Sequence, residues 1–211
     1  MTLQQADDAL WTEWKRSHER QGLDSSLLCR DGAIDVDSYS AQTTRLLVVM
    51  RESNDWAGGD IRLQLAEAPT RQMWKNIANW ASGLLLGFPP FEAVSRPDRQ
   101  KATLGRIAAI NVKKATGTGS TDFGALNQHA SLDRDLLRQQ ILLLRPTLLL
   151  ACGTFDQLAW LIDIWPRSDG RLKAHLAGLE ETRLLSFRHP AQIPYQRSYR
   201  MLEHAFVASN A

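Results

Sequence analysis

The sequence predicts one α/β domain of three layers, in which helices cover both faces of a central, mostly parallel, four-stranded sheet. Four apolar segments of strand length, residues 45–50, 106–112, 147–151 and 182–187, alternate along the chain with segments of helical periodicity. Because this alternation implies right-handed crossovers, the strands are expected to be parallel and covered on both faces. A length of 211 residues, with 44% hydrophobic and 23% charged residues, suits a single domain with a sizeable core.

The first 42 residues are expected to extend this domain at its N-terminus, so that residues 1–211 form one unit. Residues 5–20 have the periodicity of an amphipathic helix. Residues 22–42 are rich in Asp, Ser and Gly, which is typical of a loop. The core is predicted to begin at the continuous apolar run 45–50, which has the pattern of a fully buried strand.

Capping and stop residues predict the helices between the strands. Thr70 is expected to cap a helix over residues 70–86, which a glycine and two prolines then end. Ser131 is expected to cap the next helix, whose apolar residues fall on one face. Further helices are predicted at residues 154–164 and 195–208.

The composition argues against a membrane-spanning or disulfide-rich protein. The longest apolar runs are too short to cross a bilayer and the first residues are polar and acidic, so we expect no signal peptide and a cytoplasmic protein. Cys29 and Cys152 are far apart in sequence and imply no disulfide framework and no metal cluster. Cys152 is predicted to be a buried free thiol. Trp74, Trp80 and Trp160 are predicted to pack in the core.

Polar residues follow three of the predicted strands directly, at residues 51–54, 111–114 and 188–192. Since ligands of parallel α/β sheets bind beyond the carboxyl ends of the strands, these segments are expected to share one site. The net charge of +2 argues neither for nor against a nucleic-acid partner. Residues 188–202, however, contain three arginines and no acidic residue, which predicts a local basic surface.

The chain resembles the uracil-DNA glycosylase superfamily in three segments that occur in the family's order. The family's helix, proline, strand and glycine resemble residues 136–153, LLRQQILLLRPTLLLACG. Its strand-end motif, which places an asparagine against the base, is similar to the segment INVKK that contains Asn111. Its His-Pro-Ser motif resembles His189-Pro190-Ala191. The resemblance covers roughly residues 45–200 and implies a uracil-DNA glycosylase-like fold.

The first motif departs from the family pattern. Members usually carry a glycine, an acidic or amide residue and a proline after the first strand, whereas this chain has Met50-Arg51-Glu52-Ser53-Asn54. The cysteines that hold an iron-sulfur cluster in some branches are missing, so no cluster and no other cofactor is expected. No phenylalanine stands where the family stacks one on the flipped base, and Trp56 is the nearest candidate for that role.

The resemblance implies a separate role in catalysis or binding for each of the polar strand ends. Cleavage of a bond between a base and deoxyribose develops a sugar cation and a departing anionic base, and both charges need stabilisation. Glu52 would activate water or stabilise the sugar cation, and His189 would donate a hydrogen bond to the leaving base. Asn111 would read the edge of the base, since an amide both donates and accepts. Asn54 is a further substrate-binding candidate, and Asn54 or Asp55 is a rival for the part assigned to Glu52.

A base inside a duplex must be flipped out before it can be cleaved, so the resemblance also implies DNA contacts. Ile193 or Tyr195 would fill the gap that the flipped base leaves. The side chains expected to contact DNA are Lys113, Lys114, Arg188, Gln192, Arg197 and Arg200. Charge clusters of this kind are also common on merely solvated surfaces.

These observations lead to one main hypothesis and two rivals. The main hypothesis is a monomeric, monofunctional DNA glycosylase that acts without a metal on uracil or on another damaged or modified base in single- or double-stranded DNA. The second is a non-catalytic binder of nucleic acid or nucleotide on the same fold, which the atypical first motif favours. The third is a hydrolase of free nucleosides, which would not depend on Arg197 or Arg200.

Overall fold

The computed structural model describes residues 1–54, 58–67, 69–117, 119–166 and 172–209. The helices are α1 (Leu3–Arg20), α2 (Val36–Ser40), α3 (Ile61–Leu65), α4 (Gln72–Leu86), α5 (Phe91–Val94), α6 (Pro97–Gly105), α7 (Phe123–Leu132), α8 (Arg134–Leu144), α9 (Phe155–Ile162) and α10 (Tyr195–Ala208). The strands are β1 (Cys29–Arg30), β2 (Gly32–Ala33), β3 (Leu46–Met50), β4 (Gly59–Asp60), β5 (Ala108–Asn111), β6 (Leu148–Cys152), β7 (Ile164–Pro166), β8 (Leu172–Ala174) and β9 (Arg183–Phe187). None of the helices in these ranges is long and apolar enough to cross a membrane.

The central sheet has the strand order β2-β5-β3-β6-β9. The pairs β5/β3, β3/β6 and β6/β9 are parallel, which confirms the predicted α/β class and its mostly parallel sheet. The prediction of four strands was wrong by one, because β2 pairs with β5 in the antiparallel sense at the edge. This strand is only Gly32 and Ala33, two residues with little strand propensity, and it lies in the segment predicted to be a loop.

The two faces of the sheet support two separate apolar clusters. Along β3, alternate residues point to opposite faces, so Leu47 and Val49 join one cluster while Val48 and Met50 join the other. The first cluster includes side chains of α1, α7, α8 and α9, and the second includes side chains of α4, α6 and α10. Helices therefore cover both faces, as the apolar strand pattern predicted.

Two predicted caps are wrong. The residue before α4 is Arg71, whose side chain makes no capping bond, so Thr70 does not start this helix. Ser131 lies inside α7, where its hydroxyl donates to the carbonyl of Asn127. The cap of α7 is Asp122, which accepts hydrogen bonds from two backbone amides. This helix buries few of its side chains and so has a weak periodic pattern, which explains why the sequence pattern did not reveal it.

The predictions for cysteine and tryptophan are confirmed only in part. Cys152 is a buried free thiol, as expected, and Cys29 is another. Trp80 is fully buried, in agreement with its predicted core position. Trp160 is 43% exposed, so its predicted place in the core was wrong.

The four parallel strands end at one edge of the sheet, and backbone hydrogen bonds connect the segments that follow them. The amide of Lys113 donates to the carbonyl of Arg51 over 2.9 Å, and the amide of Gly117 donates to the carbonyl of Ser53 over 2.8 Å. These bonds continue the β3/β5 pairing beyond the strands. The loops at this edge are thus held in a defined arrangement. Most of the residues predicted for the site lie in these loops.

Candidate functional site

A cavity of about 220 Å³ opens at the carboxyl edge of the sheet. Its lining includes Glu52, Asn54, Asn111 and His189, which were predicted as site residues from sequence. These residues come from three different strand ends. The structure therefore brings the predicted carboxylate, amides and imidazole to one cavity, while their roles in chemistry stay predictions.

Glu52 is almost wholly buried, and one cation accompanies it. Its Oε2 accepts a hydrogen bond from Nζ of Lys113 over 2.6 Å, and the exposed fractions of the two side chains are 3% and 12%. Its other oxygen, Oε1, is shielded from solvent and has no hydrogen-bond partner in the described part of the chain. The carboxylate therefore keeps one acceptor oxygen uncommitted.

Asn111 is fixed by two contacts at the end of β5. Its backbone amide donates to Oδ2 of Asp31 over 2.8 Å, and its Nδ2 donates to the Ser53 hydroxyl oxygen over 3.1 Å. Its Oδ1 is buried without a partner among the described residues. Because Ser53 holds the amino group, the amide oxygen is the atom left for an additional donor.

Asn54 approaches the same region through a close contact with Gly117. The two residues form a parallel β-bridge, and a Cβ added to Gly117 would overlap Oε2 of Glu52 and lie 2.5 Å from Oδ1 of Asn54. Only a glycine leaves room here for both polar side chains. The sequence did not reveal this role of Gly117.

Three acceptor oxygens of this site thus lack partners in the described residues: Oε1 of Glu52, Oδ1 of Asn54 and Oδ1 of Asn111. A buried acceptor without a hydrogen bond costs roughly 1–3 kcal/mol, and proteins keep few of them. Three around one cavity therefore favour a ligand that brings N–H or O–H donors.

His189 also lines the cavity, two residues after the end of β9. Burial first, and then the positive charge of Arg51, lower the pKa of His189 from 6.5 to about 4. Its Nδ1 accepts a weak hydrogen bond from the amide of Ala191 over 3.4 Å. The neutral ring consequently carries its proton on Nε2, which makes Nε2 the donor available to a ligand.

Arg51 is positioned by Gly153, the residue that follows β6. Its Nε donates to the carbonyl of Gly153 over 3.1 Å. Gly153 has a φ of +68°, and a Cβ there would lie 2.9 Å from Nη2 of Arg51 and 3.4 Å from the Cβ of His189. Glycine therefore allows the arginine and the histidine to approach each other.

Part of the cavity wall is apolar, and Gln64, Arg71 and Thr121 line the cavity as well. The apolar part includes Met50, Ile61, Leu65, Met73 and Trp74. Trp74, predicted to be a core residue, is only partly buried and presents surface to the cavity. An aromatic wall beside polar acceptors suits a flat heterocycle.

Lys114 was predicted to contact DNA, but its side chain has no exposed surface with which to do so. Its side chain is fully buried, and its Nζ lies 2.7 Å from Oδ1 of Asp31 and 2.7 Å from Oε1 of Gln140. The ammonium also lies 4.8 Å from the ring centre of Trp14. Lys113, its neighbour, is paired with Glu52 rather than presented to a phosphate.

The other predicted DNA contacts differ in exposure. Arg188, Arg197 and Arg200 are exposed, as a phosphate contact requires. Ile193 is 7% exposed, so it is not free to enter a base stack, whereas Tyr195 is partly exposed at the start of α10. Gln192 belongs to a short 3-10 turn, but its side chain is not described. Asp55 and Trp56 lie outside the described residues.

One group of potential metal ligands lies elsewhere in the described residues. His18, His129 and Asp133 each offer a ligand atom within 4.8 Å of the others. His18 Nε2 is 3.0 Å from both oxygens of Asp133, and both side chains are fully buried. A hydrogen-bonded pair accounts for this contact, which anchors α1 to the residue between α7 and α8.

Neither a family model nor a curated protein matches this chain. The functional argument therefore depends on the chemistry of the cavity. The contributions of Lys113, Asp31 and Ser53 to that chemistry were missed from sequence because each contact joins residues more than fifty positions apart.

Proposed function

We propose that this protein is a DNA glycosylase-like hydrolase, which cleaves the N-glycosidic bond of uracil or of another damaged or modified base flipped out of DNA. The observation that carries the proposal is the convergence of Glu52, Asn111 and His189 on one cavity. The parallel sheet, with its site beyond the carboxyl ends, is compatible with a uracil-DNA glycosylase-like fold, which forms part of the same proposal.

The dimensions of the cavity support a small ring as ligand. Its volume of about 220 Å³ is below the roughly 300–1,000 Å³ typical of sites for drug-sized molecules. The partly buried Trp74 offers a surface for stacking at the wall. A single base can be accommodated, while the sugar and phosphates stay outside.

Glu52 supplies negative charge for the sugar. As the glycosidic bond breaks, positive charge develops on the ring oxygen and anomeric carbon, and the carboxylate stabilises that charge or orients the attacking water. The Lys113 ammonium at 2.6 Å offsets the cost of holding a carboxylate in a buried position. Oε1, which has no partner among the described residues, is the oxygen left for the reaction.

His189 supplies a hydrogen bond for the leaving base. Because its pKa is lowered to about 4, the ring is neutral at physiological pH and donates through Nε2 without carrying a positive charge. Such a donor stabilises negative charge that develops on a carbonyl oxygen or ring nitrogen of the base. The acceptors of Asn54 and Asn111 then receive N–H groups from the edge of the base.

Two observations favour the rival hypothesis of a non-catalytic binder. The ion pair with Lys113 uses one oxygen of Glu52, and the first motif has neither the glycine nor the proline usual in the family that it resembles. A binder would need the three acceptors and the aromatic wall but not a reactive carboxylate.

A glycosylase assay separates the hypotheses. The protein is incubated with oligonucleotides that carry uracil, hypoxanthine, alkylated or oxidised bases, and alkali-labile abasic sites are measured. We expect product on at least one substrate and its loss in Glu52→Gln and His189→Ala. The matched controls Glu67→Gln and His204→Ala change exposed residues outside the cavity and should keep activity. Tight binding without product on every substrate would instead support the binder, and cleavage of free nucleosides alone would support the nucleoside hydrolase.

A further inference from the structure

A groove of about 710 Å³ lies beside the base-sized cavity. Its walls come mainly from α7 and α9, the two helices that flank the carboxyl end of β6. Arg51 lines both the cavity and the groove, so the two are neighbours that share a side chain. A chain molecule with one unit in the cavity can therefore continue into the groove.

Two large aromatic side chains of the groove are exposed to solvent. Phe123 is 50% exposed and Trp160 is 43% exposed. The core does not need either side chain, because α7 turns Leu126 and Ala130 inward, and α9 turns Leu158, Leu161 and Ile162 inward. Exposed aromatic residues that lie together in a groove are characteristic of a binding surface.

Each aromatic ring is covered by an arginine. The guanidinium carbon of Arg51 lies 4.8 Å from the ring centre of Phe123, and that of Arg134 lies 4.4 Å from the ring centre of Trp160. Arg134 is itself held by Asp163 over 3.8 Å. The rings are thus supported on one side by a cation and have surface left for another flat group.

The polar residues of the groove are mostly uncharged. Asn127 and Gln157 are hydrogen bonded to each other over 2.8 Å, and Ser131 lies nearby in the lining. Asp156 is the one acidic residue among those that line this groove. Amides beside aromatic rings and arginines can contact bases of any sequence.

We propose that this groove binds single-stranded DNA next to the nucleotide held in the cavity, with unpaired bases stacked on Phe123 and Trp160. The inference rests on the proposed function for the identity of the polymer. Bases of a duplex are already stacked on each other, so exposed rings favour unpaired bases. The protein is therefore expected to prefer single strands over duplexes of the same sequence.

Binding of a fluorescein-labelled, unmodified oligodeoxythymidylate tests the proposal by fluorescence anisotropy. Since stacking of one base on an aromatic residue contributes roughly 1–3 kcal/mol, Trp160→Ala and Phe123→Ala should each weaken binding roughly fivefold or more. Trp165→Ala is the matched control, because Trp165 is 64% exposed but does not line the groove. It should bind as the unchanged protein does.

Tryptophan fluorescence gives a direct signal of stacking. Trp160→Phe keeps an aromatic ring, so it should keep most of the affinity for the oligonucleotide while the quenching by bound DNA decreases. Three results would each overturn the proposal. The protein could fail to bind single strands, Trp160→Ala could bind them as tightly as the unchanged protein, or single and double strands could bind with equal affinity.

The test does not depend on catalysis. The oligonucleotide carries no altered base, so its binding is measured without glycosidic cleavage, and Glu67→Gln, at an exposed position outside the groove, should bind it as the unchanged protein does. A protein that binds it through Trp160 but forms no abasic site on any substrate would refute the glycosylase and retain the groove. Glycosylase activity together with unchanged binding in Trp160→Ala and Phe123→Ala would retain the glycosylase and refute the groove.

Discussion

The Lys113 ammonium nitrogen lies 2.6 Å from Oε2 of Glu52, at the point where the ends of β5 and β3 meet. Both side chains are almost excluded from solvent, and the backbone amide of Lys113 is bound to the carbonyl of Arg51. The pair therefore joins two strand ends through both side chains and backbone. Loss of either charge would leave the other without its compensation.

Lys113→Met should lower the free energy of unfolding by roughly 3 kcal/mol, because it leaves a buried carboxylate without its cation. Urea denaturation of the purified variant measures this change. Lys101→Met is the matched control, since Lys101 pairs with Glu67 at 3.2 Å on an exposed surface. Exposed pairs contribute about 0–1 kcal/mol, so a similar loss in both variants would contradict the structural role given to Lys113.

Gly117→Ala should disturb the site directly. The new Cβ would overlap Oε2 of Glu52 and lie 2.5 Å from Oδ1 of Asn54, so at least one of these side chains must move. We expect glycosylase activity to fall at least tenfold, while the free energy of unfolding falls by roughly 1–3 kcal/mol. Both are measured on the same preparation.

The control for this change lies in the same loop. A Cβ at Gly119 would meet no atom within 4 Å, so Gly119→Ala should leave activity and stability close to those of the unchanged protein. Equal activity of the two alanine variants would show that the close contact with Gly117 has no part in function.

The apolar strand pattern was sufficient to predict the α/β class and the shared edge of the polar strand ends. Residues 46–50 and 148–152 are buried throughout, and such uninterrupted runs occur where both faces of a sheet are covered. Since parallel strands end at the same edge, the sequence pattern predicts that Glu52, Asn111 and His189 lie together.

The roles of the two adjacent lysines could not be predicted in the same way. Lys113 and Lys114 are adjacent just after β5, yet their side chains contact different carboxylates. Lys113 pairs with Glu52, while Lys114 pairs with Asp31. Which lysine takes which acid depends on the exact end of β5 and on a partner about eighty residues earlier in the chain, neither of which is marked in the local sequence.

His189 should make stability depend on pH between about 6.5 and about 4. Its pKa is lowered from 6.5 to about 4, so within this window the unfolded chain binds a proton that the native protein does not. The free energy of unfolding should consequently decrease as the pH falls through this range, and be unaffected by this group above it. Urea denaturation at a series of pH values measures the slope.

His189→Asn should reduce that slope, whereas His204→Asn, at an exposed position, should not. If the native pKa of His189, followed by NMR titration of its ring protons, were close to 6.5, the lowering of this pKa by burial and by Arg51 would be refuted, and the predicted pH dependence with it.

Arg197→Ala and Arg200→Ala should weaken DNA binding to a similar extent on all sequences. Both arginines are exposed near the start of α10, and a phosphate contact adds nearly one unit to the slope of log affinity against log salt concentration. We expect each substitution to reduce the slope by about one. A slope that did not change would show that these residues do not contact DNA phosphates. An unchanged free energy of unfolding would separate the effect on DNA binding from damage to the fold.

Lys114→Met should act on stability and not on DNA binding. The fully buried Nζ is 2.7 Å from Asp31, so removal of the ammonium leaves a buried carboxylate unpaired and should cost roughly 3–5 kcal/mol. Since domains are stable by only about 5–15 kcal/mol, this variant can be too unstable to purify.

The double variant Lys114→Met with Asp31→Asn keeps the prediction testable, because removal of both charges avoids the unpaired group. It should recover a substantial part of the loss, and the coupling is obtained from a double-mutant cycle of urea denaturation. The salt dependence of DNA binding should equal that of the unchanged protein, because a lysine with no exposed surface releases no counterion. If the double variant lost about one unit of that slope, Lys114 would have to contact a phosphate, and the buried position of its side chain would be wrong.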